Sequence, residues 1–172
     1  MIISKKTPKH DVLELGKQCD RSNHCCKFTT GFLVKDDLQN IAQFLNISEK
    51  ELRDKFLEEV KIFNTMAIRP RSLKADKPYG HCVFFDEAKG CKIHSVKPLQ
   101  CKLYTCKPYG FDLTQWFYLN HLINPKDPQS IREYAEFLKC NEPIPGGRLG
   151  ELVPDKNKLK KILSYEIFKG EE

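Results

Sequence analysis

The chain has 172 residues, 40% of them hydrophobic and 30% charged, which excludes a disordered or collagen-like polymer and is enough for one domain with its own core. The formal net charge of +6 invites a nucleic-acid reading, yet the lysines are spread along the chain and every cysteine is counted as a neutral thiol. No run approaches the length of a membrane span, and the opening Met1-Ile2-Ile3-Ser4-Lys5-Lys6 turns basic without an apolar h-region, so the expected setting is the reducing cytoplasm.

In chain order, Leu38, Ile41, Ala42 and Leu45 fall at i, i+3, i+4 and i+7, predicting an amphipathic helix over 36–45 behind Asp36 and Asp37. Ser48 with Glu51 three residues on is a capping box, and Leu52, Phe56 and Val60 carry one apolar face of a second helix to about Phe63. Residues 65–69 and Cys82 to Phe85 are expected as short strands, the latter joined to Cys91-Lys92-Ile93 by a turn ending at Gly90, which would set Cys82 and Cys91 at matching ends of a hairpin. Pro98 to Tyr104 suits a short helical turn with Cys101 near its start and Cys106 just beyond its end. The apolar run Phe111 to Leu119, with Trp116, is expected as a buried strand, and its aromatic residues as core, not as a base-stacking platform. After the loop 124–128, Ser130 and Glu133 form a second capping box, and a last helix follows Pro154-Asp155. Between these two helices stands Cys140, ahead of a Pro/Gly-rich loop to Gly150 whose glycines lack the context of a dinucleotide fingerprint. The expected fold is α+β, a mainly helical single domain over 1–172 with a short β-hairpin, organised around a cysteine-ligated metal centre.

The eight cysteines carry the functional signal. Cys19, Cys25 and Cys26 form one group, Cys82, Cys91, Cys101 and Cys106 a second, and Cys140 stands alone. In a chain long enough not to need disulfide staples, and in a reducing compartment, such grouping points to metal. Each zinc held by four thiolates contributes about −2 in place of four neutral thiols, so two such sites bring the net charge close to neutral. The paired Cys-x2-Cys knuckles of zinc ribbons and the Cys-x2-Cys-x2-Cys run of ferredoxins are both absent. Adjacent cysteines point in different directions, so Cys25 and Cys26 suit two metals or two corners of a cluster better than one tetrahedral ion. His81 and His94 stand beside cysteines and are expected at the surface or behind the ligands; His10 and His121 have no constellation around them, and no carboxylate pair stands out as a catalytic acid and base.

These residues resemble the YkgJ-type cysteine-cluster family of zinc- or iron-chelating domains. The family's opening motif, Cys-x2-Cys-x2-Cys-Cys, aligns with Cys19, Ser22, Cys25 and Cys26. Its second motif is similar to Cys82-Val83-Phe84, Gly90-Cys91, Lys97-Pro98-Leu99-Gln100-Cys101 and Cys106, and a later motif of some members is similar to the segment from Cys140 to Gly147. The resemblance implies an iron-sulfur cluster or zinc held by Cys19, Cys25, Cys26, Cys82, Cys91, Cys101, Cys106 and Cys140. Ser22 departs from the motif, so one coordination position falls to Cys140, to His24, or to water, substrate or an exchangeable metal. Flagellin lysine methylases contain a similar cysteine motif, which makes protein lysine methylation the alternative activity, although no separate donor-binding domain is visible. A zinc-stabilised nucleic-acid module is the third alternative, favoured only by the basic balance.

Overall fold

The fold is taken from a computed structural model that describes residues 2–75 and 77–168. Among these residues helices dominate, joined by three two-stranded antiparallel ribbons, so the mixed class with helical emphasis expected from the sequence is observed. The chain divides into two compact units: Met1–Val12, Lys61–Met66 and Phe111–Glu172 form one, Leu13–Val60 and Ala67–Gly110 the other. No helix among the described residues is long and apolar enough to cross a membrane.

The second unit holds seven of the eight cysteines. It opens with the second half of α1 (Lys9–Gly16), a short helix whose weak apolar pattern gave no sequence signal, and α2 (His24–Phe28). Helix α3 (Lys35–Leu45) forms where expected and buries Leu38, Ile41 and Ala42. Ser48 caps α4 (Glu49–Phe56), its side chain accepting from the Glu51 backbone N–H at 3.1 Å. Helices α3 and α4 pack on each other, and the fully buried Ile41 and Leu52 are each worth about 1.5–3 kcal/mol of burial.

Helix α4 ends at Phe56, not near Phe63 as the apolar spacing predicted, because Leu57–Ile62 is strand β1. Strand β1 pairs with β2 (Thr65–Pro70) through a two-residue turn in which Phe63 (φ 48°) and Asn64 (φ 56°) are both left-handed, the conformation that matches the twist of a hairpin. Strand pairing and this turn outweigh the i, i+4 match of Val60 to the helix face.

The expected hairpin around Cys82 and Cys91 is two ribbons. Strand β3 (Ser72–Leu73) pairs with β4 (His81–Cys82), placing Cys82 opposite Ser72. Strand β5 (Phe85–Asp86) pairs with β6 (Gly90–Cys91), so the residue opposite Cys91 is Phe85, not Cys82. The Asp86 carboxylate accepts from the Ala88 and Lys89 backbone N–H groups, both at 2.9 Å, and Gly90 (φ 76°) supplies the left-handed residue before Cys91. A 3₁₀ turn at His94–Val96 packs against α3, and α5 (Leu99–Leu103) carries Cys101.

In the other unit, Phe111–Leu119 belongs to helix α6 (Gly110–His121), not to a strand. Leu113, Trp116 and Phe117 are buried at helical spacing, but Gln115 and Leu119 are buried too, so the helix is enclosed on more than one stripe and its period is masked. Gln115 is fully paired, accepting from the Ile144 N–H at 3.1 Å and donating to the Glu142 carbonyl at 2.7 Å. Helix α7 (Pro128–Leu138) starts earlier than the Ser130 capping box predicted: Asp127 is the cap, Pro128 opens the helix, and buried Ser130 instead accepts from the Asn124 N–H at 3.0 Å. Phe63 at the turn of the β1–β2 hairpin meets Tyr118, Tyr134 and Phe137 edge-on, with ring centroids 5.4–5.8 Å apart. Helix α8 (Leu149–Leu152) and helix α9 (Lys156–Leu163), the latter capped by Asp155, complete this unit.

Candidate metal centre

Five cysteines converge in the second unit. Helix α2 presents Cys25 and Cys26 and packs against β4, which carries the buried Cys82. Cys82 sits in the core cluster with Leu38, Ile41, Phe84 and Ile93, and Cys26 and Cys91 are packed against that cluster. Cys101 is delivered from α5 by close backbone approach. A Cβ on Gly31 would lie 2.5 Å from the Cys101 Sγ and 2.9 Å from the Cys101 N, so only glycine fits there, and the Gly31 N–H points at the sulfur.

Asp37 fixes where α5 begins. One carboxylate oxygen accepts from the Val34 N–H at 2.9 Å, closing the start of α3, and from the Leu99 N–H at 2.8 Å, closing the start of α5. A single buried acid therefore holds the helix that carries Cys101 against the helix that forms the core. The sequence reading placed Asp37 only in a favourable first turn; the α5 partner is a tertiary fact.

The thiols hold one another's protons. Cys26 is the side-chain hydrogen-bond partner of both Cys25 and Cys91; this contact is the largest influence drawing Cys25 down to about 6 and Cys91 down to about 7, with the nearby Lys97 ammonium adding to both. The same contacts push Cys26 far up, so the trio keeps one proton on Cys26 and charge on its neighbours. Burial pushes Cys82 up to about 11, and burial together with the charge at Cys82, Cys25 and Cys91 pushes Cys101 up as well. A cation placed among these five sulfurs reverses that order, because coordinating thiols give up their protons to the metal. Lys97, which softens the accumulated charge, was noticed in the sequence only as the residue before Pro98.

The remaining sequence candidates are placed differently. Cys106 is exposed beyond α5, with its Sγ 3.8 Å from the Ser22 Oγ, and Cys19 is half-buried after α1. The two segments are tied by the Lys107 ammonium on the Asp20 carboxylate at 3.0 Å. Cys140 is exposed after α7 and belongs to the other unit. His24 leans on the Phe28 ring at 4.8 Å, His81 faces Phe85 at 6.4 Å, and His94 is exposed, its proton affinity lowered first by desolvation and then by Lys97 and Arg21. All eight cysteines are free thiols. Among the described residues no group of three or more His, Cys, Asp or Glu side chains is placed so that it could hold a metal ion.

The donor set nonetheless fits zinc or iron, both of which accept all-thiolate coordination. A second feature fits as well. Thr30 Oγ1 and Gln100 Nε2 are buried without a partner, and they belong to the residues immediately before Gly31 and Cys101. Unpaired donors are rare in folded proteins and suit the neighbourhood of a negatively charged sulfur centre. Convergent thiols delivered by short helices and ribbons define a cysteine-cluster domain. The chain belongs to the CxxCxxCC family, described as a "Putative zinc- or iron-chelating domain", which matches residues 18–135. An uncharacterized protein of Methanocaldococcus jannaschii is 32% identical over 112 residues, covering 63% of this chain and 54% of that protein. The chain thus spans about half the length of this curated relative. No solved structure matches.

Proposed function

We propose that this protein binds metal through Cys25, Cys26, Cys82, Cys91 and Cys101, with Cys19 and Cys106 as further ligands, holding zinc or an iron-sulfur cluster. One observation carries the reading: α2, which presents Cys25 and Cys26, packs on the strand of buried Cys82, Cys26 and Cys91 pack against the core cluster that holds Cys82, and Gly31 lies against Cys101. Bound metal would supply a positive centre that replaces the shared proton on Cys26 and fastens α2, β4, β6 and α5 to one another, coupling folding to metal uptake. Gly31 and Asp37 set the position of Cys101, and Lys97 offsets surplus thiolate charge.

Metal analysis with a visible spectrum on anaerobically purified protein tests this. Brown protein absorbing in the visible assigns an iron-sulfur cluster, and colourless protein with stoichiometric zinc assigns zinc. Cys82→Ser or Cys101→Ser should lose metal and stability together. Normal loading and normal melting in both variants would refute the proposal.

A further inference from the structure

The tetrapeptide Lys-Pro-Tyr-Gly occurs twice in the cysteine unit, at 77–80 and at 107–110. Both glycines are buried against backbone: a Cβ on Gly80 would lie 2.3 Å from the Leu73 carbonyl oxygen, and one on Gly110 would lie 2.2 Å from that of Thr105. Each copy is thus anchored at its glycine and displays the lysine and tyrosine ahead of it. The second copy is occupied from within the chain. Lys107 Nζ reaches both carboxylate oxygens of Asp20, at 3.0 and 3.1 Å, and Tyr109 Oη donates to Gln18 Oε1 at 2.7 Å and to the Leu15 carbonyl at 3.4 Å. Its occupant is therefore a segment with an amide two residues before a carboxylate.

The first copy is open. Lys77, Pro78 and Tyr79 are all exposed, and among the described residues Lys77 meets no carboxylate and Tyr79 Oη has no hydrogen-bond partner; Lys77 Nζ stands 5.8 Å over the Tyr79 ring instead. Tyr79 (45% exposed) continues into the rings of α2, with Phe28 (46% exposed) 5.5 Å from it and His24 a further 4.8 Å along. The exposed Lys74 adds positive charge to the same loop.

We propose that this row of Lys77, Tyr79, Phe28 and His24 is a docking surface for an acidic peptide segment of a partner protein. The segment sets a carboxylate on Lys77, an amide or carbonyl acceptor on Tyr79 Oη, and an apolar side chain on the rings of Phe28 and Tyr79. The internal occupant of the second copy supplies the polar half of this pattern. An exposed ion pair alone contributes little, so most of the affinity comes from covering the rings, the kind of side chain in which interface cores are enriched. No bound metal is needed.

The test is an NMR titration of the isotope-labelled full chain with a capped peptide in which glutamine stands two residues before aspartate and a phenylalanine flanks each end. Saturable shifts should appear at Lys77, Tyr79, Phe28 and His24 and weaken as salt is raised. Lys77→Glu and Tyr79→Phe should each weaken binding about fivefold, and a peptide with asparagine in place of aspartate should lose a similar factor. Should Lys77→Glu misfold, the asparagine peptide decides the matter. No saturable shift, shifts confined to 107–110, or binding indifferent both to the peptide's aspartate and to Lys77→Glu would overturn the proposal. Oligouridine shifting these rings where the peptide does not would overturn it in favour of single-stranded nucleic acid.

Discussion

Replacing Gly31 with alanine probes the delivery of Cys101 most directly. The new Cβ would sit 2.5 Å from the Cys101 sulfur and 2.9 Å from its backbone nitrogen. The sulfur alone could swing aside, but the nitrogen belongs to α5, and α5 is tied at Leu99 to Asp37. Relief therefore requires the 30–32 segment to separate from α5, which also lengthens the 2.7 Å bond from the Phe32 N–H to Gln100 Oε1. Overpacking of this kind costs about 1–3 kcal/mol, and a weakened buried hydrogen bond adds about 1 kcal/mol. Urea unfolding of the metal-free protein should show a lowered midpoint with an unchanged slope, and the metal content of the loaded protein should fall with it. Gly90→Ala is the control, since it strains a left-handed residue but meets only the Asn23 side chain, at 3.3 Å. A Gly31→Ala protein with wild-type midpoint and metal content would refute the close approach on which the placement of Cys101 rests.

Removing the acceptor at Asp37 with Asp37→Ala should cost about 2–4 kcal/mol, because a buried and a part-buried N–H group lose their partner at once; thermal melting measures it, and a change under about 0.5 kcal/mol would contradict the double cap. Thr30→Val, nearly isosteric, should leave the metal-free protein equally or more stable, since the buried hydroxyl has no partner to lose; a clear loss in the same melt would mean that the hydroxyl is paired. The metal-free protein should also have a bell-shaped stability against pH. Cys25 and Cys91, lowered to about 6 and about 7, are ionised in the folded state before they are in the unfolded one, so stability rises from about pH 6 toward the ordinary thiol range near pH 8.5–9 and is lost as pH falls through 7 and 6. Above that range Cys26, Cys82 and Cys101 keep protons that the unfolded chain gives up, so stability falls again. Stability that is flat between pH 6 and 9 in denaturant titrations would remove the proton-sharing trio. Iodoacetamide should likewise label Cys25 and Cys91 near neutral pH well before Cys82, as read by mass spectrometry.

Local chemistry was legible where one interaction decides. Ser48 and Asp155 stop the chain from turning helical earlier by accepting from the N–H groups of α4 and α9, and Leu38, Ile41 and Ala42 give α3 a single apolar face that must be buried. The cysteine groups and the Lys97-Pro98 step before Cys101 marked the family without any coordinates, because the residue types and their order persist whatever the packing.

Tertiary structure decided what depends on partners distant in sequence. Leu57–Ile62 reads as helix from its apolar spacing and becomes a strand only because β2 is there to pair with it, and Phe111–Leu119 reads as a strand because its enclosure on several sides hides the helical period. Ribbon register set Cys91 opposite Phe85 and Cys82 opposite Ser72, so the two cysteines are associated through the core cluster and not across a shared hairpin. The gap at Ser22 could be seen in the sequence, but its position facing Cys106 at the surface could not, since a sulfur 84 residues away leaves no local trace. Spacing along the chain determined which cysteines are candidates; side-chain packing, which is set by burial and by hydrogen bonds such as those of Asp37, decided which of them lie near one another.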